Sequence, residues 1–292
     1  MVRRGPLRRH WLTGGTMGTL DTGTDDLLAR IEGHVARISF NRPEARNALT
    51  DPMYEGFNRV LPQIADDPGV RVVMITGEGG AFCAGGNVKG FAARNKAAAG
   101  GERGAGTESA VLRLRTIQRQ VSLAIRRLPQ PVVASFPGAA AGAGLSIGFA
   151  ADLRIAAERA IIVTAFANIG ASGDFGTSWF LPRIVGEAKA KELMFMSPRL
   201  SAREALALNI VNAVLPDDDY DRAALEWCHA LAERAPIALQ YIKQNINRSL
   251  EVNLETALDH EAVAMVRTMA TADHREAAVA FVEKRPARFT GN

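Results

Sequence analysis

Residues 131–152, PVVASFPGAAAGAGLSIGFAAD, decide how the rest of the chain is read. A β-branched run at 132–136 stops at Pro137-Gly138, and the ten residues that follow are mostly Gly, Ala or Ser. This pattern predicts a strand feeding a helix through a turn with few side chains. Small residues there let a ligand or a second backbone come close, and the amides of the new helix N-terminus point at whatever sits in front of them. The stretch therefore suits negative charge before any side chain is considered.

Upstream, the same logic recurs. Residues 35–40 (VARISF) predict a strand, after a loosely patterned acidic segment, 25–32, that reads as a candidate strand of its own. Asn41-Arg42-Pro43 ends the strand, because the residue before proline leaves the α region and proline cannot continue a ladder. A helix is predicted from Thr50-Asp51-Pro52, with a capping side chain ahead of a first-turn proline. Met53, Phe57, Val60, Leu61 and Ile64 fall on one face of it. Residues 70–76 (VRVVMIT) form a nearly unbroken apolar run, the signature of a strand buried on both faces.

Strand, helix and strand in about forty residues make a β/α unit with an expected right-handed crossover. The second strand runs into Gly77-Glu78-Gly79-Gly80-Ala81-Phe82-Cys83-Ala84-Gly85-Gly86-Asn87. Two glycine-rich nodes thus follow two strands, at the edge where open α/β sheets bind ligands. Backbone N–H donors from two separate loops are what an oxyanion hole requires, whereas close helix-on-sheet packing alone is the simpler reading of either node by itself.

Residues 92–109 are rich in Gly and Ala and lack periodicity, so they are expected to form a loop beside the site. Residues 111–128 carry apolar side chains at helical spacing and predict a helix on the sheet. Past Asp152, 153–156 and 161–164 predict strands, and 168–177 is rich in turn residues. From Glu187 the pattern is helical, with a brief strand at 209–214. The last third, 218–234, 236–250, 254–271 and 273–284, is helical throughout. The expected organisation is an N-terminal extension over 1–23, an α/β core over 24–215 and a helical region over 216–292.

Composition narrows the function. At 292 residues and 47% apolar the chain can bury one large core, and no apolar run reaches the roughly 18 residues of a membrane span. Its formal charge of +4 is accounted for by Arg3, Arg4, Arg8 and Arg9, so residues 17–292 are neutral and charge offers no case for nucleic acid. That Arg-rich opening lacks both the apolar region of a secretory signal and clear amphipathic spacing, and Met17 is an alternative start. Cys83 and Cys228 lack metal-ligand spacing, which predicts a reducing, cytoplasmic setting with no structural disulfide and no metal.

Two motif matches fail on context. Gly142-x-Gly144-x-x-Ile147 and Gly77-x-Gly79-x-x-Phe82 each miss the third glycine of a dinucleotide fingerprint. Gly144-Leu145-Ser146-Ile147-Gly148 fits the G-x-S-x-G pattern of a hydrolase elbow. That elbow needs its serine at the tip of a turn directly after a strand, but here the strand ends about ten residues earlier and Ser146 falls inside the helix.

Asn41-Arg42-Pro43-Glu44-Ala45-Arg46-Asn47-Ala48-Leu49, Ala81-Phe82-Cys83-Ala84-Gly85-Gly86-Asn87-Val88, Pro131-Val132-Val133-Ala134 with Gly138-x-Ala140-x-Gly142-x-Gly144, and Phe281-x-Glu283-Lys284-Arg285-Pro286 together resemble the crotonase superfamily, the enoyl-CoA hydratase/isomerase group. The resemblance runs from about residue 24 to the C-terminus. It implies an α/β fold, a spiral of ββα units with a C-terminal helical trimerisation region, and an acyl-CoA substrate handled by a homotrimer or dimer of trimers. No separate cofactor is implied, since coenzyme A arrives as part of the substrate. By position, the oxyanion-hole amides would be those of Gly86 and Ala143. Arg46, Ala48, Ala84 and Val88 would line the CoA site, while Phe281 and Lys284 resemble positions that reach CoA in a neighbouring subunit. Asn87 stands where the family usually has Asp.

The acid/base groups depart from the hydratase pattern. Where hydratases of the family carry two glutamates, this chain has Ser146 and Phe166, neither of which can activate water. Asp174 is the acid left in the region, in a segment that resembles the isomerase branches, including the ring-opening 1,2-epoxyphenylacetyl-CoA isomerases. The resemblance therefore implies double-bond isomerisation through Asp174, which burial among Phe166, Phe175 and Trp179 would keep near neutral pKa. A loop aspartate that merely caps the next helix is the structural alternative. An atypical hydratase and a non-catalytic acyl-CoA binder are the functional ones.

Overall fold

The protein is described by a computed structural model over residues 18–86 and 106–292. Strands β1 (Gly18–Leu20), β2 (Leu27–Glu32), β3 (Val35–Phe40), β4 (Val72–Gly77), β5 (Val132–Phe136), β7 (Leu153–Ala157) and β10 (Ala213–Leu215) form one sheet in the order β1-β2-β3-β4-β5-β7-β10. The first three run antiparallel, and from β3 onward every neighbour is parallel. β2 and β3 meet at a two-residue turn whose first position, Gly33, takes φ +64°, a left-handed value that glycine adopts without strain. Three short strands, β6 (Ala140–Ala141), β8 (Ile161–Val163) and β9 (Leu200–Ser201), form a second sheet.

Every residue of β3, β4 and β5 is buried, as the nearly unbroken apolar run at 70–76 required of β4, and the burial extends to Arg37 and Ser39 of β3 and Ser135 of β5. One face of the sheet is covered by α1 (Asp51–Asp66), capped by Thr50 and buried through Met53, Phe57, Val60, Leu61 and Ile64. Phe40, Phe82 and Phe136 pack edge to face beneath it, with ring centroids 5.4 and 4.7 Å apart.

The helix predicted over 111–128 is observed as α2 (Thr107–Gln118), a π-helical turn (Arg119–Leu123) and a last turn (Ala124–Arg127). No residue of Thr107–Gln118 is buried; the buried apolar side chains of the helix are Val121 and Ile125, with Ile117 and Ala124 packed against the core while partly exposed. Regular spacing through 111–128 had implied a continuous face, and the π-turn breaks it by inserting one residue.

After α3 (Gly142–Phe149), α4 (Thr177–Val185), α5 (Glu187–Met196) and α6 (Ala202–Ala207), the helical third begins. Its first helix, α7 (Tyr220–Ala232), is part of the core: Tyr220, Ala224, Cys228 and Ala232 cover Val35, Val72, Met74, Val133 and Ile155 on the second sheet face. The core therefore extends past residue 215, because a parallel sheet needs cover on both sides. It also begins earlier than residue 24, since β1 pairs with β2.

Helix α8 (Pro236–Ser249) is pinned to the sheet by Lys243, whose Nζ donates to Gln130 O at 2.9 Å and lies 2.7 Å from Asp152 Oδ2. The same Asp152 oxygen accepts from the Val132 amide at the head of β5. The last helices, α9 (Leu254–Met269) and α10 (Ala272–Glu283), leave large apolar side chains in the open. Cys83 and Cys228 are both buried and unpaired, and among the described residues no helix is long and apolar enough to cross a membrane.

Candidate functional site

The two glycine nodes meet beyond the carboxyl ends of β4 and β5. Phe82 N donates to Ala139 O, Ala141 N donates to Cys83 O, and Cys83 and Ala140 form a parallel bridge. At Gly85, with φ +87°, a Cβ would stand 2.8 Å from Ala141 O and 3.3 Å from Ala143 N. At Gly144 it would stand 2.5 Å from Cys83 Sγ and 2.6 Å from Cys83 Cβ. The glycines are thus what lets the first turn of α3 touch the loop after β4. Ala143 is the second residue of α3, so its N–H has no carbonyl one helical turn back.

A third loop closes the group. Pro43–Ala45 is a 3-10 turn, followed by Arg46 and Asn47 in left-handed conformation at φ +50° and +59°. Asn47 is fully buried; its Oδ1 accepts from Arg42 N, and its Nδ2 donates to Glu78 O at 2.9 Å and Ala81 O at 2.8 Å. Cys83 Sγ donates to Asn47 O, and burial pushes this thiol up to about 12. Ala84 N donates to Arg46 O, and Leu49 N donates to Gly85 O. Arg46, Ala48, Ala84 and Gly86 are accordingly brought together around the Ala143 end of α3, with Arg46 exposed and the other three half-buried. Val88 and Asn87 lie outside the described residues, as does most of the expected pocket loop.

Phe281 and Lys284 are not gathered here. They are exposed at the end of α10, which packs against α9, and Lys284 takes φ +55° as the left-handed residue after that helix. A cleft of about 660 Å³ lies between α10 and the C-terminal tail and is lined by Asp273, Glu276, Arg285 and Arg288, away from the glycine nodes.

Ser146 lies inside α3 and is fully buried. Its hydroxyl bonds Gly142 O within the helix and Thr177 Oγ1 on α4. A serine tied in this way is a packing group, which disposes of the hydrolase reading on geometry.

Asp174 sits three residues before Thr177. Helix α4 begins after Gly176 with no side-chain cap, so the alternative in which Asp174 caps it does not hold. Asp174 gives the helix only its main-chain oxygen, which accepts from Thr177 N at 3.1 Å. Its carboxyl is half-buried, and Oδ1 is buried without a hydrogen-bond partner. Burial pushes its pKa up to about 6. Of the three buried partnerless side-chain oxygens among the described residues, with Ser122 Oγ and Gln130 Oε1, it is the ionisable one.

The surroundings of Asp174 match the sequence reading in part. Phe175 is buried, and Phe166 lies 4.0 Å from where a Cβ on Gly173 would stand. Trp179 instead packs edge to face on Phe180 beneath the guanidinium of Arg183, 4.0 Å from its ring centre. The ring beside Phe175 is Tyr54 of α1, stacked at 5.6 Å and 25°. The Tyr54 hydroxyl is pushed upward by burial and then by the charge of Asp174. Phe175 itself takes φ +49°, and its N–H donates to Gln118 Oε1 at 2.8 Å. Tyr54, Gln118 and Thr177 carry no sequence signal as site residues: the first two fall in helical patterns and Thr177 in a turn-rich stretch, where polar atoms are ordinary.

The sequence model of the enoyl-CoA hydratase/isomerase family matches residues 30–292. A Bacillus subtilis protein that carries the family's name is 35% identical over 91% of this chain and 99% of its own. The 1,2-epoxyphenylacetyl-CoA isomerase of Escherichia coli is 33% identical over 91% of this chain and 98% of its own. The crystal structure of an enoyl-CoA hydratase from Polaromonas sp. JS666 superposes with a TM-score of 0.82 at 33% identity, over 90% of this chain and 99% of that one. An isomerase and a hydratase at equal identity leave the reaction to be decided by the site. From the matched residues, the relatives and the shared sheet and helices, the chain belongs to the enoyl-CoA hydratase/isomerase family of the crotonase superfamily.

Proposed function

We propose that the protein is an enoyl-CoA isomerase in which Asp174 is the single proton carrier. The carboxylate takes a proton from the carbon alpha to the thioester of a 3-enoyl-CoA. The electron pair moves into the thioester carbonyl, and the amides of Gly86 and Ala143 hold the resulting enolate oxygen. The same carboxyl returns the proton two carbons further along, leaving the double bond conjugated with the thioester. Nothing is added or lost, so one group serves both steps.

The observation that carries this reading is the state of Asp174: a carboxyl with one oxygen buried and unpartnered, held near a pKa of about 6, while the positions of the hydratase glutamates hold Ser146 and Phe166. A base near neutrality suits a shuttle, and a hydroxyl locked to Thr177 and a phenyl ring offer no second base. Arg46, Ala48, Ala84 and Val88 line the CoA path in this proposal. Phe281 and Lys284 complete it from a neighbouring subunit in a homotrimer or dimer of trimers. Exposed apolar residues on the last helices, such as Leu254 at 74% and Phe281 at 85%, support such burial between copies.

The test is to incubate the protein separately with trans-3- and trans-2-enoyl-CoA and identify the products. Isomerisation converts the first into the second with no 3-hydroxyacyl-CoA. Accumulation of 3-hydroxyacyl-CoA would make the protein a hydratase, and absence of turnover with retained CoA binding would make it a binder.

A further inference from the structure

We propose that Gln118 is a positioning residue for Asp174, fixing the turn that carries the carboxylate through its hydrogen bond to the Phe175 amide. The inference rests on the reading of Asp174 as the proton carrier.

The carboxylate cannot hold itself in place. Its Oδ1 has no partner among the described residues, so its direction depends on the backbone that bears it. That backbone is strained: Phe175, next in the chain, is a bulky residue at φ +49°, flanked by Gly173 at φ +108° and Gly176 at φ +88°. A phenylalanine stays in that conformation only where its surroundings impose it.

Two attachments do so from opposite sides. On one, Thr177 ties the turn to Ser146 of α3, the helix whose first turn carries Ala143. On the other, Gln118 Oε1 accepts from Phe175 N at 2.8 Å, while the Phe175 ring stacks on Tyr54. Gln118 bonds the very peptide that joins Asp174 to Phe175, so it acts one bond from the residue whose placement matters.

The helix carrying Gln118 is shaped for this contact. Gln118 is the last residue of α2 before the π-turn, where the Ala124 amide reaches back five residues to Arg119 O. The inserted residue lets Val121 and Ile125 turn to the core while Gln118 still faces the Asp174 turn. A single π-turn inside a helix is costly to keep and is concentrated at functional sites. Among the described residues, the titratable group electrostatically linked to Asp174 is Tyr54, itself within range of Asp51, Arg113 and Cys83, and burial is the cause of the elevation of Asp174.

The experiment compares Gln118→Leu, Gln118→Glu and Asp174→Asn in the isomerase assay, with CoA titration to count intact sites. Gln118→Leu is expected to lower kcat by about 10- to 100-fold per intact site while KM stays within about twofold, because the carboxylate is displaced rather than removed. Gln118→Glu keeps an acceptor for the Phe175 amide, so it is expected to recover most of that rate at high pH. The added negative charge should also move the rising limb of its rate profile up by about one pH unit. Wild-type kcat in Gln118→Leu, a loss explained by fewer intact sites, or a loss that Gln118→Glu does not recover at any pH would each overturn the proposal. Turnover by Asp174→Asn would overturn the underlying reading instead. Its loss together with a normal Gln118→Leu would overturn this inference alone.

Discussion

Ser146 Oγ and Thr177 Oγ1 share a hydrogen bond between two fully buried hydroxyls, joining the helix that carries Ala143 to the turn that carries Asp174. In the proposed function, this contact stands where a hydratase of the family would hold a carboxylate. Ser146→Ala leaves the Thr177 hydroxyl buried without this partner and is expected to cost about 1 to 3 kcal/mol of stability. Ser146→Glu puts a charge where the serine has no exposure, and about 3 to 5 kcal/mol is expected. Denaturant unfolding of both variants checks the order. A stable Ser146→Glu protein that hydrates 2-enoyl-CoA would refute this account of the missing base.

The contact between the glycine nodes makes a second prediction. In Gly144→Ala the new methyl group would stand 2.5 to 2.8 Å from Cys83 Sγ, Cβ and O, so the nodes must separate. A loss of about 1 to 3 kcal/mol is expected, with a fall in turnover as Ala143 moves relative to Gly86. Gly18→Ala meets nothing within 4 Å and serves as the neutral control. Equal melting temperatures for the two variants would contradict the packing argument.

The elevated carboxyl of Asp174 carries a stability cost whose sign follows from linkage. The folded state binds this proton more tightly than the unfolded chain, whose aspartates titrate near about 4. Folding is therefore unhindered below that value, and stability is lost as pH rises from there through the folded value of about 6. Removing the charge in Asp174→Asn should stabilise the protein by about 2 kcal/mol at pH 8 and hardly at all at pH 4. Unfolding curves at the two pH values measure this, and a difference independent of pH would contradict the burial of the carboxylate.

The sheet was legible because its strands are short apolar runs bounded by Gly, Pro and Asn: the run at 132–136 coincides with β5, and Thr50-Asp51-Pro52 marks the start of α1. Less legible were features that depend on distant partners. The pattern over 220–232 shows an amphipathic helix but not that it covers the second face of the sheet. The π-turn at Arg119–Leu123 has no residue that announces it. At the site, Asp174 could be singled out as an unreplaced acid, and Ser146 as a helical serine, from the sequence. Their settings could not, because Tyr54, Gln118 and Thr177 reach them from positions 120, 56 and 3 residues away from Asp174.

The most direct test of Asp174 as proton carrier is exchange of the alpha proton of a 3-enoyl-CoA thioester in deuterated water, followed by NMR for the wild type and Asp174→Asn at matched CoA occupancy. The wild type is expected to exchange that proton with a rate that rises as pH passes through about 6, the carboxyl's folded value. Asp174→Asn is expected to bind CoA equally well and to exchange at the uncatalysed rate. Wild-type exchange in the variant would contradict the assignment.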